Sequence, residues 1–241
     1  MSLSFVQLNI ESDKHLSEVK RIFQAQPDVV HLQEVFRADA EELASQYGYY
    51  CHYAPHVIFE DASAKFNPRG EWGVAILTKA KQSNCQTEYY RYQGTPVKAQ
   101  LDAQDHPRAI ISCDIEVEEQ VYTFATLHFT WAMPVDADRL QKEDLERLLS
   151  ILKKYSSLVL SGDFNAPRGS LVQTELASRY QYHIPRIINT TIDNSLHRAA
   201  PLFLVVDHLF ATPDYKITNV RVESGYSDHC AIFASITKVT T

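Results

Sequence analysis

The chain has 241 residues, 45 % of them apolar, and 23 Lys+Arg against 30 Asp+Glu leave a formal net charge of −7. With only 7 Gly and 10 Pro, this composition excludes a disordered or collagen-like polymer and suits one large β-rich globular domain spanning residues 1–241. The acidic balance also excludes a protein that coats nucleic acid or anionic membrane by charge alone, because that binding needs clustered Lys and Arg to displace counterions.

In chain order, Ser4 to Asn9 reads as a strand, and Leu16, Val19, Ile22 and Phe23 then fall on one helical face. Pro27 stops that helix ahead of a second strand, Asp28 to Glu34. Ala38 to Tyr47 predicts a helix ended by Gly48. Trp72 to Thr78, Gln86 to Tyr92, Val97 to Ala103 and Arg108 to Glu116 are short β-rich runs between Gly, Pro or polar residues, and they predict an antiparallel meander. Val121 to His128 is apolar on both alternations, as in a sheet covered on both faces. Asp136 to Lys154 carries the strongest helical pattern, with Leu145, Leu148, Leu149 and Leu152 on one stripe. Leu158 to Gly162, Leu204 to Ala211 and Cys230 to Ile236 are apolar strands with acidic, amide or histidine residues at or near an end, so polar groups are expected to converge at one rim.

Those strand ends carry the chemistry. In Ser161-Gly162-Asp163-Phe164-Asn165 an extended chain would put Asp163 and Asn165 on one side, a carboxylate to activate water or meet a metal and a carboxamide to donate to a phosphoryl oxygen. Asp and Asn after a strand are also ordinary turn formers. Asp207 sits in the apolar run Leu204-Val205-Val206-Asp207-His208-Leu209-Phe210, where a carboxylate needs a partner. His229, in Ser227-Asp228-His229, is the candidate, because an acid beside an imidazole fixes its tautomer and favours its charged form. Glu34, after Gln33 at the end of the second strand, suits a hard cation such as Mg²⁺, and Asn9 ends the first strand. His128 ends the strand that precedes Phe129-Thr130-Trp131. Each alone could be an ordinary strand-end residue; their co-occurrence in order is informative.

Read together, Leu8-Asn9-Ile10, Pro27 to Val35, Gly73 to Leu77, Thr126-Leu127-His128, Ser161 to Asn165, Val206 to Phe210 and Ser227-Asp228-His229 resemble the endonuclease/exonuclease/phosphatase family, from Asn9 to Ile236. The resemblance implies a deoxyribonuclease I-like α/β fold: a four-layered α/β sandwich of two mostly antiparallel β-sheets packed face to face, with helices on the outside. It further implies that Glu34 binds a catalytic divalent metal, Mg²⁺ or Mn²⁺, with Asn9 beside it and Asp228 close to the same centre. By the same resemblance, His128 would meet the scissile phosphate or leaving oxygen, and Asn165 would hold a phosphoryl oxygen. Asp163 would orient or deprotonate water, and His229, steadied by Asp207, would donate to the phosphate or serve as base. The family often has Trp where this chain has Leu8, a core position.

The expected activity is metal-dependent hydrolysis of a phosphodiester, nucleic acid or nucleotide-like, with a phosphomonoesterase or a sphingomyelinase-like lipid phosphodiesterase as the alternative and a non-catalytic scaffold as the rival of another class. Three segments are candidates for selecting substrate: Pro55 to Gly70, Pro167 to Gly169, and Pro185 to Pro201 with Arg186, Asp193, His197 and Arg198. Within them Arg168 and Arg198 are expected to face substrate phosphate. Trp72, Trp131 and most tyrosines are expected to pack, and Cys113 and Cys230 to be inert buried thiols. The four cysteines form no CxxC pair, which points away from zinc knuckles and disulfide frameworks and towards a reducing compartment. The start, Met1 to Phe5, carries no leader pattern, and the longest apolar run, Leu202 to Val206, is far short of the roughly 18 residues a membrane span needs. The expectation is a cytoplasmic protein with no membrane span and no obligate protein partner.

Overall fold

A computed structural model describes residues 1–59, 69–92, 97–98 (backbone only), 106–132 and 139–239. Two sheets form its frame. The first has seven strands in the order β12-β13-β1-β2-β4-β3-β6, drawn from β1 (Ser2–Asn9), β2 (Val29–Phe36), β3 (Tyr50–Phe59), β4 (Gly70–Thr78), β6 (Val97–Lys98), β12 (Tyr215–Glu223) and β13 (Ala231–Lys238). The second has six in the order β10-β11-β9-β8-β7-β5, from β5 (Gln82–Arg91), β7 (Arg108–Val117), β8 (Gln120–His128), β9 (Val159–Asp163), β10 (Gln181–Tyr182) and β11 (Asp207–Ala211). Helices α1 (Leu16–Gln24) and α2 (Arg37–Tyr47) cover the outer face of the first sheet, and α3 (Arg139–Leu152) and α4 (Leu171–Ala177) that of the second. This is the four-layered sandwich with mostly antiparallel sheets.

Side-chain alternation builds the layers. Along β1, Val6 and Leu8 point outward to join Val19, Ile22 and Phe23 of α1, while Leu3 and Phe5 point inward against Phe124 and Leu209 of the second sheet. Leu145, Leu148 and Leu152 of α3 pack on Leu127, Leu160 and Phe210. The alternation also sends Gln7 and Asn9 inward after Phe5, so the inter-sheet core turns from apolar to polar towards one end.

The middle of the chain is not one meander: β4 pairs with β2 and β3 in the first sheet, whereas β5 pairs with β7 in the second, so the chain changes sheets between Thr78 and Gln82. Of the predicted strand Val97 to Ala103, only β6 lies within the described residues, as do only residues 139–154 of the predicted helix. Strand β3 is not among the strands the sequence predicts and runs into the Pro55 to Gly70 segment; Pro55 is accommodated at a register shift between Pro55 and Val57. Strand β12 escapes the apolar pattern because it is a half-exposed edge strand, with its own bulge between Thr218 and Arg221. Among the described residues no helix is long and apolar enough to cross a membrane.

Candidate active site

Each sheet contains a parallel pair, β1 with β2 and β8 with β9, and their carboxyl ends meet at one rim between the sheets. Antiparallel neighbours bring their amino ends to the same rim: Asp207 opens β11 opposite Asp163, and His229 precedes β13. Seven of the sequence-predicted residues, Asn9, Glu34, His128, Asp163, Asn165, Asp207 and His229, are thus collected from elements up to 220 positions apart (229 − 9).

Three local irregularities aim the side chains. Glu34 does not end its strand, as expected, but sits in a bulge at φ 54, where the register shifts between Gln33 and Val35. A bulge changes which face the following residue occupies, so Val35 joins Leu32 on the outer apolar face and the Glu34 carboxylate is released to the rim. Asp163 and Asn165 reach the same rim by a turn rather than by extension. Asn165 has φ 47, its N–H donates to Asp163 Oδ1 (2.8 Å), and its amide nitrogen donates to the Phe129 carbonyl (3.0 Å). Gly162, at φ 152, lies so near β8 that a Cβ would stand 2.1 Å from the Leu127 carbonyl oxygen, which requires glycine there.

Asp163 Oδ2 is the hub. Asn9 Nδ2 donates to it (3.0 Å) and to Glu34 Oε1 (3.1 Å), while His128 Nε2 is 3.5 Å and His229 Nε2 3.9 Å away. The Asn9 amide oxygen accepts from the Glu11 N–H (3.1 Å), which fixes the amide's orientation. Asn9 thus bridges the two carboxylates as a donor, beside Glu34 as the resemblance implies. The His229 Nδ1–H donates to Asp207 Oδ2 (2.8 Å). Acidic and imidazole atoms within 4.8 Å of one another form two groups among the described residues, Glu34/His128/Asp163 and Asp163/Asp207/His229. Asp228 stands outside both but near enough to act on Glu34 electrostatically.

The charges follow from these neighbours. Burial, reinforced by Asp228, pushes the Glu34 carboxyl up to about 7 against the donation from Asn9. Burial likewise raises Asp163, opposed by His229. The two histidines diverge: burial with Arg108 and His56 nearby drives His128 well below the ordinary imidazole value, whereas at His229 burial is outweighed by Asp207 and Asp163 and the imidazole is held well above it. A neutral and a charged imidazole thus flank one carboxylate. Carboxylates crowded enough to raise each other are a donor set that fits a hard divalent cation, and no sulfur ligand stands among them.

The two arginines part company. Arg168 is turned onto backbone: its guanidinium donates to the carbonyls of Ile184, Pro185, Arg186 and Ile188 and its Nε to the Tyr182 hydroxyl, so it braces the 182–188 segment rather than facing a phosphate as expected. Arg198 is exposed and forms no hydrogen bond or ion pair with another described residue. Beside it His197 approaches Asp228, Nε2 to Oδ2 4.0 Å, on a turn closed by the reciprocal Asn194–Leu202 bonds. Trp72 packs edge-on against His128 at 5.8 Å, and Trp131 is 41 % exposed. Cys113 and Cys230 are buried thiols pushed up by burial. Of the Pro55 to Gly70 segment, residues 60–68 lie outside the described residues.

Gln7 and Thr126, which pattern reading passed over, also belong to the polar end of the inter-sheet layer. The signal was present for Gln7: two residues before Asn9, it must share its face.

Solved structures share this architecture. An endonuclease/exonuclease/phosphatase from Beutenbergia cavernae matches with a TM-score of 0.74 at 16 % identity, covering 99 % of this chain and 72 % of that one. The human nocturnin catalytic domain with bound sulfate matches at 0.72 and 17 % identity over 99 % and 94 %. A mannosyl-6-phosphatase from Bacteroides thetaiotaomicron matches at 0.70 and 14 % over 98 % and 99 %. No curated protein sequence matches the chain. Residues 6–229, which include the whole set of rim residues from Asn9 to His229, match the model of the Endonuclease/Exonuclease/phosphatase family, and the chain belongs to that family.

Proposed function

We propose that the chain is a Mg²⁺- or Mn²⁺-dependent phosphodiesterase acting on a nucleic-acid or nucleotide-like substrate. Family membership supports phosphoester hydrolysis as the reaction class. The observation that carries the finer reading is the placing of one raised carboxylate, Asp163, between a neutral His128 and a charged His229, with Glu34 alongside.

Glu34, with Asp163 and Asp228 near it, would hold the cation, which supplies positive charge to phosphoryl oxygens as they become more negative. Asp163, its basicity raised by burial, takes the proton of the attacking water. His229 already carries its proton and is oriented by Asp207, so it donates to a phosphoryl oxygen rather than acting as base. Asn165 has a second amide N–H beyond the one on Phe129 for the same purpose. His128 offers an uncharged imidazole to the leaving oxygen. Arg198 and His197 stand on the rim where a larger substrate would extend.

The test is hydrolysis of bis-p-nitrophenyl phosphate: activity should vanish in EDTA and return with Mg²⁺ or Mn²⁺, and full activity after exhaustive chelation would overturn the metal requirement. A second reading, a phosphomonoesterase, is favoured by the mannosyl-6-phosphatase that shares the fold. Faster turnover of p-nitrophenyl phosphate than of the diester would select it.

A further inference from the structure

Behind the rim, a line of buried polar side chains crosses between the sheets where the layer could have been apolar. Ser161, Thr126, Gln33, Gln7 and Asp207 are all inaccessible to solvent. The direction of every hydrogen in this line is forced from one end. The Ser161 carbonyl can only accept, so the Thr126 hydroxyl gives it its single proton (3.0 Å). The Thr126 oxygen then accepts from Gln33 Nε2 (2.9 Å), which turns the Gln33 amide oxygen towards Gln7. That oxygen accepts from Gln7 Nε2 (2.7 Å), and the second hydrogen on the same nitrogen points at Asp207 Oδ1 (3.1 Å). Flipping the Gln7 amide would face its oxygen against two acceptors at once, so one orientation survives.

That orientation leaves Gln7 Oε1 buried without a hydrogen-bond partner among the described residues. An orphaned buried carbonyl is unfavourable, and an apolar side chain here would continue the series Leu3, Phe5 without it. The retained feature is the donor on Asp207. Asp207 has two carboxylate oxygens; with Oδ1 held by Gln7 and its backbone N–H held by Thr191 Oγ1 (3.1 Å), Oδ2 is fixed towards His229 Nδ1.

We propose that Gln7 is a positioning residue for the reaction, locking the Asp207 carboxylate through a proton-ordered relay anchored on the Ser161 carbonyl so that His229 is presented in one tautomer and one direction. The inference rests on the proposed phosphoester chemistry for its kinetic consequence, but its structural core is testable without it. Acting through Asp207, Gln7 touches no substrate, so its loss should lower kcat and leave KM nearly unchanged.

The experiment compares wild type, Gln7→Met, Asp207→Asn and the double variant Gln7→Met/Gln33→Met, which makes that part of the line apolar. Gln7→Met should lower kcat on bis-p-nitrophenyl phosphate about 10–100-fold with KM within about twofold, as losses of supporting hydrogen bonds behind reacting groups do. Its melting temperature should fall, since the change leaves the Gln33 amide oxygen and Asp207 Oδ1 without their donor, so kcat is compared at a temperature below the unfolding transition of every variant. Proton NMR of the protein supplies the readout independent of turnover: the downfield His229 Nδ1–H resonance should be lost in Asp207→Asn and be shifted or faster-exchanging in both Gln7 variants. Wild-type kcat with an unchanged resonance in Gln7→Met would overturn the proposal. So would unfolding of both Gln7 variants, which would make the glutamine structural only. Should the wild type hydrolyse no phosphate ester, the functional reading fails, and the resonance alone decides the role of Gln7.

Discussion

At the scale of single residues, the site's chemistry depends on pairs that divide roles between similar groups. His128 and His229 stand either side of Asp163 yet differ in charge, because burial, with Arg108 and His56 nearby, keeps His128 neutral, whereas Asp207 and Asp163 outweigh burial at His229. Asp207→Asn should therefore reduce kcat by about 10²–10⁴-fold, since the amide no longer supports an imidazolium. His229→Ala should do the same, and the double variant should lose little more, because both changes remove one unit. Losses that multiply in the double variant would show independent action. Arg168 carries the contrary expectation. Its guanidinium is committed to four carbonyls of the 184–188 turn, so Arg168→Ala should cost about 2 kcal/mol of stability and speed amide exchange across that turn, with kcat on a small diester kept. Arg168→Lys should rescue little, because an ammonium cannot reproduce the fork. Thermal melts and hydrogen exchange check both.

At the scale of elements, reactive atoms are aimed by departures from regular structure at strand ends. The Glu34 bulge lies inside β2, two residues before its end, and the left-handed Asn165 follows β9, whose five residues are all buried. The close pairing of β8 with β9 is what sets His128 opposite Asp163, and Gly162 is the residue that allows it. Gly162→Ala would drive a methyl into the Leu127 carbonyl, so it should destabilise the fold by at least about 3 kcal/mol and lower activity through the displaced His128. A melting temperature within a degree or two of wild type would contradict this packing. Helix α3 braces the same corner from outside: the buried Asp144 takes Arg91 Nε (2.7 Å) and the Thr130 hydroxyl (2.5 Å), and Gln141 donates to the carbonyls of Thr130 and Asn165.

At the scale of the whole molecule, joining two sheets through a partly polar layer makes stability depend on pH. His31 lies in that layer with Nδ1 2.8 Å from Ser161 Oγ, and burial holds it down to about 3 from 6.5. Between those values the unfolded chain binds a proton that the folded chain refuses, so stability falls as pH drops below 6.5. His208, lowered to about 4 by burial, acts in the same direction. Denaturant titrations from pH 6 to pH 4 should show wild type losing up to about 1.4 kcal/mol per pH unit more than His31→Gln. Parallel pH profiles for the two proteins would mean that His31 is protonated in the fold without penalty.

Much of this molecule is legible in one dimension. Apolar runs located β1, β2, β8, β9, β11 and β13, and helical periodicity located the leucine stripe of α3, because burial on one or both faces imposes its pattern on the sequence. Polar residues at the ends of apolar strands marked Glu34, His128, Asp163, Asp207 and His229 for the same reason: a charge beside a core needs a partner. The edge strand β12 and the Pro-containing β3 were hidden, because edges and bulges relax that spacing. Only the tertiary structure decided which polar groups face one another. That Asn9 bridges two carboxylates, that Arg168 braces a turn, and that Gln7 reaches Asp207 across 200 positions depend on bulge geometry and on the proton count at each oxygen, and spacing along a chain carries neither.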